Sequence, residues 1–115
     1  MLKTLLAKLG SGGAAETDVA SVAEGLRSGS VTVIDVREPD EWREGHIRGA
    51  VHIPLGSLAT QAGTIDRSKP VVTICRSGKR SLRAAEILTA SGFPDVKSMA
   101  GGMIAWTAAH QPTTR

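Results

Sequence analysis

The spacing of apolar positions along this chain changes repeatedly, and each change marks an element. Residues 18–29, DVASVAEGLRSG, place Val19, Val22, Ala23 and Leu26 on one helical face, with Asp18 or Thr17 as the cap and Gly29 as the stop. The run 31–36, VTVIDV, has no such period. It is continuous and β-branched, which predicts a strand covered on both faces. EPDEWREG then predicts a short helix, with Pro39 near its first turn and acidic residues suited to that end. AVHIPL reads as a short strand ended by Pro54, and PVVTIC as a second fully apolar strand. RSLRAAEILTASG predicts a helix closed by Gly92, with Pro94 beyond it. VKSMA followed by GGMIAWTAA repeats the step from strand to helix. Strands interleaved with helices predict an α/β fold, with an open, mostly parallel sheet of four to five strands flanked by helices. The candidate for the fifth strand is the weak segment 14–17.

The ends of the chain separate from this pattern. In MLKTLLAKLGSGG, Leu2, Leu5, Leu6 and Leu9 fall at helical spacing and GSGG reads as a flexible joint. Lys8 interrupts an already short apolar stretch, which argues against a signal peptide. The expected organisation is a short helix and glycine-rich joint over 1–13, one domain over 14–110, and a tail over 111–115. No apolar run approaches the roughly 18 residues of a membrane span.

Composition narrows the function. A chain of 115 residues that is 41% hydrophobic has material for one core. The net charge of +3 and an aromatic content of 3% give little for nucleic acid to bind, and suit a small anionic substrate. A single cysteine excludes an intrachain disulfide and points to a reducing, cytoplasmic setting.

That cysteine carries the chemistry. Cys75 ends an apolar strand and opens the loop CRSGKRS, directly before a helix. In open α/β sheets ligands bind beyond the carboxyl ends of the strands. The amides of residues 76–81 can curl round the sulfur, and the following helix points its positive end at the same place. Arg76, Lys79, Arg80 and Arg83 add full charges. Each of these effects favours thiolate over thiol, and the thiolate is the nucleophile. A buried structural cysteine would need no glycine-bearing basic loop. Gly78 is expected to supply a positive φ or a close approach to the ligand.

Three ordered segments resemble one family. CRSGKRS resembles the active-site loop of the rhodanese sulfurtransferases. VIDVREPDEWREGHIRGAVHIPL resembles the family's first signature, and MAGGMIAW resembles its closing segment. The likeness covers residues 18–109. It implies a rhodanese-like fold and a two-step transfer of sulfane sulfur through a Cys75 persulfide. The donor is thiosulfate or a similar anion, and the acceptor is cyanide, a thiol or a protein; no metal or organic cofactor is implied. Arg76, Ser77, Gly78, Lys79, Arg80 and Ser81 are the expected substrate-binding loop. Arg76 and Lys79 attract the donor, while Arg80 either joins them or pins the loop to Asp35 or Glu38. Asp35 and Arg37 are expected to support the site by hydrogen bonding or ion pairing, without taking part in the chemistry.

Two other functions use the same cysteine. A non-enzymatic sulfur relay or redox sensor would exploit a low-pKa thiol, although a resolving cysteine is absent from the sequence. A phosphatase or arsenate reductase would use the same scaffold. The related phosphatases carry five residues between cysteine and arginine, whereas Cys75 and Arg80 are separated by four, and Ser81 holds the position of the phosphatase arginine. Among the remaining conspicuous residues, His46 and His52 make a poor metal signal. Trp42 and Trp106 read as core or rim packing, and Met99 and Met103 as gap fillers.

Overall fold

The computed structural model describes residues 14–115, so the expected helix and joint over 1–13 lie outside the described residues. In chain order, β1 (Ala15–Thr17) leads to α1 (Val19–Ser28), and β2 (Thr32–Asp35) to α2 (Pro39–Glu44). β3 (Val51–His52) is followed by α3 (Leu55–Gln61) and a single 3-10 turn (Ala62–Thr64). β4 (Val71–Ile74), α4 (Lys79–Ala90), β5 (Val96–Met99) and α5 (Gly102–Ala108) complete the domain. The strands form one five-stranded sheet in the order β1-β5-β4-β2-β3, and every pairing is parallel.

The two unbroken apolar strands lie at the sheet's centre because both of their faces are covered. Val72 and Ile74 of β4 join Val22, Ala23, Val33, Met99, Met103 and Trp106 in one core, under α1 and α5. Val71 and Cys75 face the other way, among Ile34, Val36, Leu58, Ala84, Ala85 and Leu88, under α3 and α4. Side chains alternate across a strand, so a cysteine one residue beyond Ile74 must emerge on the α4 side. β2 and β5 flank β4. The segments after Asp35, Ile74 and Met99 therefore open side by side at the carboxyl edge of the sheet.

Asp18 caps α1, its side chain accepting from the Ser21 amide at 2.8 Å, and Gly29 ends the helix. Pro39 opens α2, where the Glu38 amide donates to Glu41 Oε1 at 3.0 Å. The sequence pattern did not anticipate α3. Pro54 precedes it, and Leu55, Leu58 and Ala62 are the apolar positions that seat it, with Leu58 wholly buried.

The segment after α5 is also more ordered than a loose tail. Trp106 Nε1 donates to the Pro112 carbonyl at 2.9 Å, and His46 and Thr114 exchange a pair of backbone hydrogen bonds. Thr113 lines a cleft of about 360 Å³ with Arg37, Arg76, Met103 and Ile104. Trp106 and His46 thus hold the tail beside α2.

Candidate active site

Cys75 Sγ sits at the bottom of a cup formed by the chain's return from β4 into α4. The Gly78 amide donates to the sulfur at 3.0 Å, and Ser81 Oγ lies 3.4 Å from it. Gly78 has φ of 105°, a left-handed conformation that lets the loop turn its amides inward, and it is the first residue before α4. A β-carbon there would also press on the Gly101 amide at 3.2 Å.

The glycine pair at the start of α5 locks the cup from outside. Gly102 packs directly on the loop backbone, and the Met103 and Ile104 amides donate to the carbonyls of Cys75 (2.9 Å) and Arg76 (3.1 Å). A peptide whose carbonyl is held outward presents its amide on the other side. The closing MAGGMIAW segment therefore fixes the polarity of the loop.

Burial pushes the Cys75 thiol up, but the Ser81 hydroxyl and the amides of Ser81, Gly78 and Ser77 more than offset it. The net shift is downward. The emphasis differs from the charge argument made on the sequence. Arg76 and Lys79 are exposed, and Arg83 lies over Glu86 at 3.4 Å on the helix surface. Hydrogen bonds inside the cup, more than the ring of basic side chains, favour the anion. Among the described residues Arg76 and Lys79 have no carboxylate within 4 Å, which leaves both charges free at the rim.

Arg80 is committed elsewhere. Its guanidinium makes two bonds to the Glu41 carboxylate, at 2.7 and 2.9 Å, tying the start of α4 to α2. The sequence argument left Arg80 either drawing the donor or pinning the loop to Asp35 or Glu38; the observed partner is neither of those two acids. Asp35 is instead closed by Arg37, whose guanidinium donates to both carboxylate oxygens at 2.8–3.0 Å. Arg37 also donates to the carbonyls of Glu41 and Gly45, so the pair anchors α2 to the end of β2. Both residues are buried, and neither offers a free charge to a ligand. Beside them, the imidazoles of His46 and His52 stack on the Trp42 indole, with centroids 3.5 and 4.7 Å away. Among the described residues no three metal-ligating side chains converge.

The bond from Arg80 holds the Glu41 carboxyl down to about 2, against an ordinary 4.5, with the Glu38 amide helping against partial burial. A carboxylate depressed in the fold stabilises it above the ordinary range. That contribution fades as pH falls from about 4.5 through about 2. The two side chains are 22% and 35% exposed, so water screens the pair. It is expected to contribute about 1 kcal/mol. Glu41→Gln should lower the urea midpoint at pH 7, with the gap to wild type closing as pH approaches 2. A gap that stayed constant with pH would assign the loss to packing.

The site also holds residues that the sequence argument missed. Ser98 of β5 meets Ser81 beneath the sulfur at 2.7 Å, and Thr73 Oγ1 donates to the Ser81 carbonyl at 2.7 Å. A polar residue at an inward position of an apolar strand was the available signal for both.

A parallel α/β domain with an activated thiol in a cup of amides, at the carboxyl edge of its central strand, defines a class of cysteine-dependent enzymes and carriers. The Rhodanese-like domain family matches residues 18–109, and the chain belongs to that family. It is 39% identical over 77 residues to the thiosulfate sulfurtransferase GlpE of Shewanella oneidensis, covering 67% of this chain and 76% of the relative. It is 40% identical over 78 residues to YrkF of Bacillus subtilis; the match covers 68% of this chain but only 42% of that longer relative. Among solved structures, a rhodanese-related protein from Thermoplasma volcanium superposes with a TM-score of 0.80 at 30% identity, covering 87% of this chain and 97% of that one.

Proposed function

We propose that this protein is a sulfurtransferase that carries sulfane sulfur as a persulfide on Cys75. The carrying observation is the cup itself, with the sulfur held by the Gly78 amide at 3.0 Å beside the Ser81 hydroxyl. The Cys75 thiolate attacks the outer sulfur of thiosulfate. The sulfur–sulfur bond of the donor breaks, and sulfite leaves with the electron pair. The new terminal sulfur carries negative charge, which inward-facing amides stabilise in the preorganised manner of an oxyanion hole. An acceptor thiolate or cyanide then attacks that sulfur and returns the Cys75 thiolate. No step calls for a metal or an organic cofactor. The exposed Arg76 and Lys79, without a carboxylate partner among the described residues, draw a dianionic donor to the rim, and a reducing cytoplasm suits an enzyme whose only thiol must stay reduced. Cys75 is 1% exposed, so the sulfur accepts a slender donor more readily than a bulky one.

The test is to incubate the protein with thiosulfate and weigh the intact chain. One added sulfur atom on Cys75, removed by cyanide, is the expected result. An unmodified chain under conditions that load a GlpE control would overturn the proposal. So would Cys75-dependent release of phosphate from an aryl phosphate at a rate rivalling sulfur transfer.

A further inference from the structure

A chain of buried hydroxyls runs from the sulfur into the sheet. Ser81 Oγ stands 3.4 Å from Cys75 Sγ and 2.7 Å from Ser98 Oγ, and both serines are wholly buried. Ser98 lies on β5 directly opposite Thr73 of β4, whose hydroxyl is already given to the Ser81 carbonyl. Among the described residues, Ser81 Oγ is the one hydrogen-bond partner of Ser98 Oγ.

Each hydroxyl has one proton to donate, which leaves two arrangements. In the first, Ser81 donates to Ser98. The Ser98 proton then meets no acceptor in a buried place, and Ser81 has no proton to offer the sulfur and can only accept from a Cys75 thiol. In the second, Ser98 donates to Ser81 and Ser81 donates to the sulfur. Every proton is then used, and the chain ends on an atom that must accept. Leaving a buried donor unmet is costly, and hydrogen bonds in series polarise one another toward a terminal charge. The protein thus satisfies its own hydroxyls when Cys75 accepts, and a thiolate accepts far more strongly than a thiol.

We infer that Ser98 is a positioning residue for the thiolate: by donating to Ser81 it orients the Ser81 hydroxyl at Cys75 and holds the sulfur in its accepting state. The charged groups around the sulfur leave this work to the hydroxyls. Arg80, from α4, is spent on Glu41 of α2, and Asp35, from β2, is closed by Arg37. From the loop, Gly78 supplies an amide, while Arg76 and Lys79 are exposed. The inference concerns the thiol on which the proposed transfer rests. Its readout needs no sulfur donor, so the two can fail separately.

The experiment is the rate of Cys75 alkylation by iodoacetamide against pH in full-length variants whose folding is checked by thermal melting. Ser98→Ala is expected to raise the midpoint by about half a pH unit. Ser98→Thr, which restores a hydroxyl, should bring the midpoint back toward wild type. Ser81→Ala should raise it further than Ser98→Ala does. In the Ser81→Ala background, adding Ser98→Ala should produce no additional shift, because Ser98 acts through Ser81. A wild-type midpoint for Ser98→Ala would overturn the inference. An undiminished Ser98→Ala shift in the absence of the Ser81 hydroxyl would also overturn it, since Ser98 would then act through packing. Should Ser98→Ala fail to fold, Ser81→Ala alone still decides: a wild-type midpoint there removes the hydroxyl chain from the thiol.

Discussion

Cys75→Ser is expected to fold and to lose sulfur transfer from thiosulfate to cyanide by more than about a thousandfold. The replacement keeps the shape of the side chain and its contact with Ser81. It removes the atom whose anion the cup was built to hold. A serine hydroxyl stays protonated where a thiol ionises, and oxygen cannot form the persulfide that both half-reactions share. The amides would still face the site, and the rim arginine and lysine would still draw the donor. Binding of thiosulfate, read by calorimetry, should therefore survive better than turnover. Circular dichroism and a melting curve close to wild type are needed to read the loss as chemistry. Residual turnover within tenfold of wild type would mean that the sulfur passes through another group.

Gly102→Ala is expected to damage fold and site together, in contrast to Gly29→Ala. Both glycines adopt positive φ, 55° and 70°, so the intrinsic strain on an alanine is similar. Their surroundings are not. A β-carbon on Gly29 meets nothing within 4 Å, whereas on Gly102 it would lie 2.6 Å from the Arg76 carbonyl group and against the Cys75 carbonyl. Those atoms are backbone and cannot swing aside. Gly29→Ala should cost about 1 kcal/mol, the left-handed penalty alone. Gly102→Ala should cost about 3–4 kcal/mol, with a melting temperature lower by on the order of 15 °C against about 5 °C for Gly29→Ala. Because the clash falls on the peptides that orient the cup, Gly102→Ala should also move the alkylation profile of Cys75 toward that of an ordinary thiol. An equal loss in the two variants, with no change in thiol reactivity, would dissociate Gly102 from the loop.

What could be read from the sequence follows from how local each cause is. The central strands were legible because coverage on both faces leaves an unbroken β-branched run, in VTVIDV and in PVVTIC. The loop was legible because strand end, cysteine, glycine and helix start are consecutive. α3 was not, since seven residues with Gly56 among them offer only two apolar turns. Strand order, β1 at one edge and β3 at the other, depends on pairings between distant segments of two and three residues. The same distance hid Glu41 as the partner of Arg80, 39 residues apart, and Ser98 as the partner of Ser81, 17 apart. Charge counted along the chain overstated the basic loop for a related reason. Linear proximity to Cys75 says nothing about which side chains turn outward or are claimed by a carboxylate.

The grip of α5 on the loop has a consequence for a chain being made. Synthesis proceeds from the amino end, so Cys75 leaves the ribosome before Met103 and Ile104, whose amides restrain its own carbonyl and that of Arg76. β5, which supplies Ser98 and the seat for β1, also follows it. A nascent chain therefore carries an ordinary thiol, mostly protonated and slow toward peroxides and other electrophiles. The loop that lowers the Cys75 pKa is held in its final shape only when the last helix docks. Reactivity and completion of the domain arrive in one step, and an unfinished chain has little to lose to oxidants while it waits.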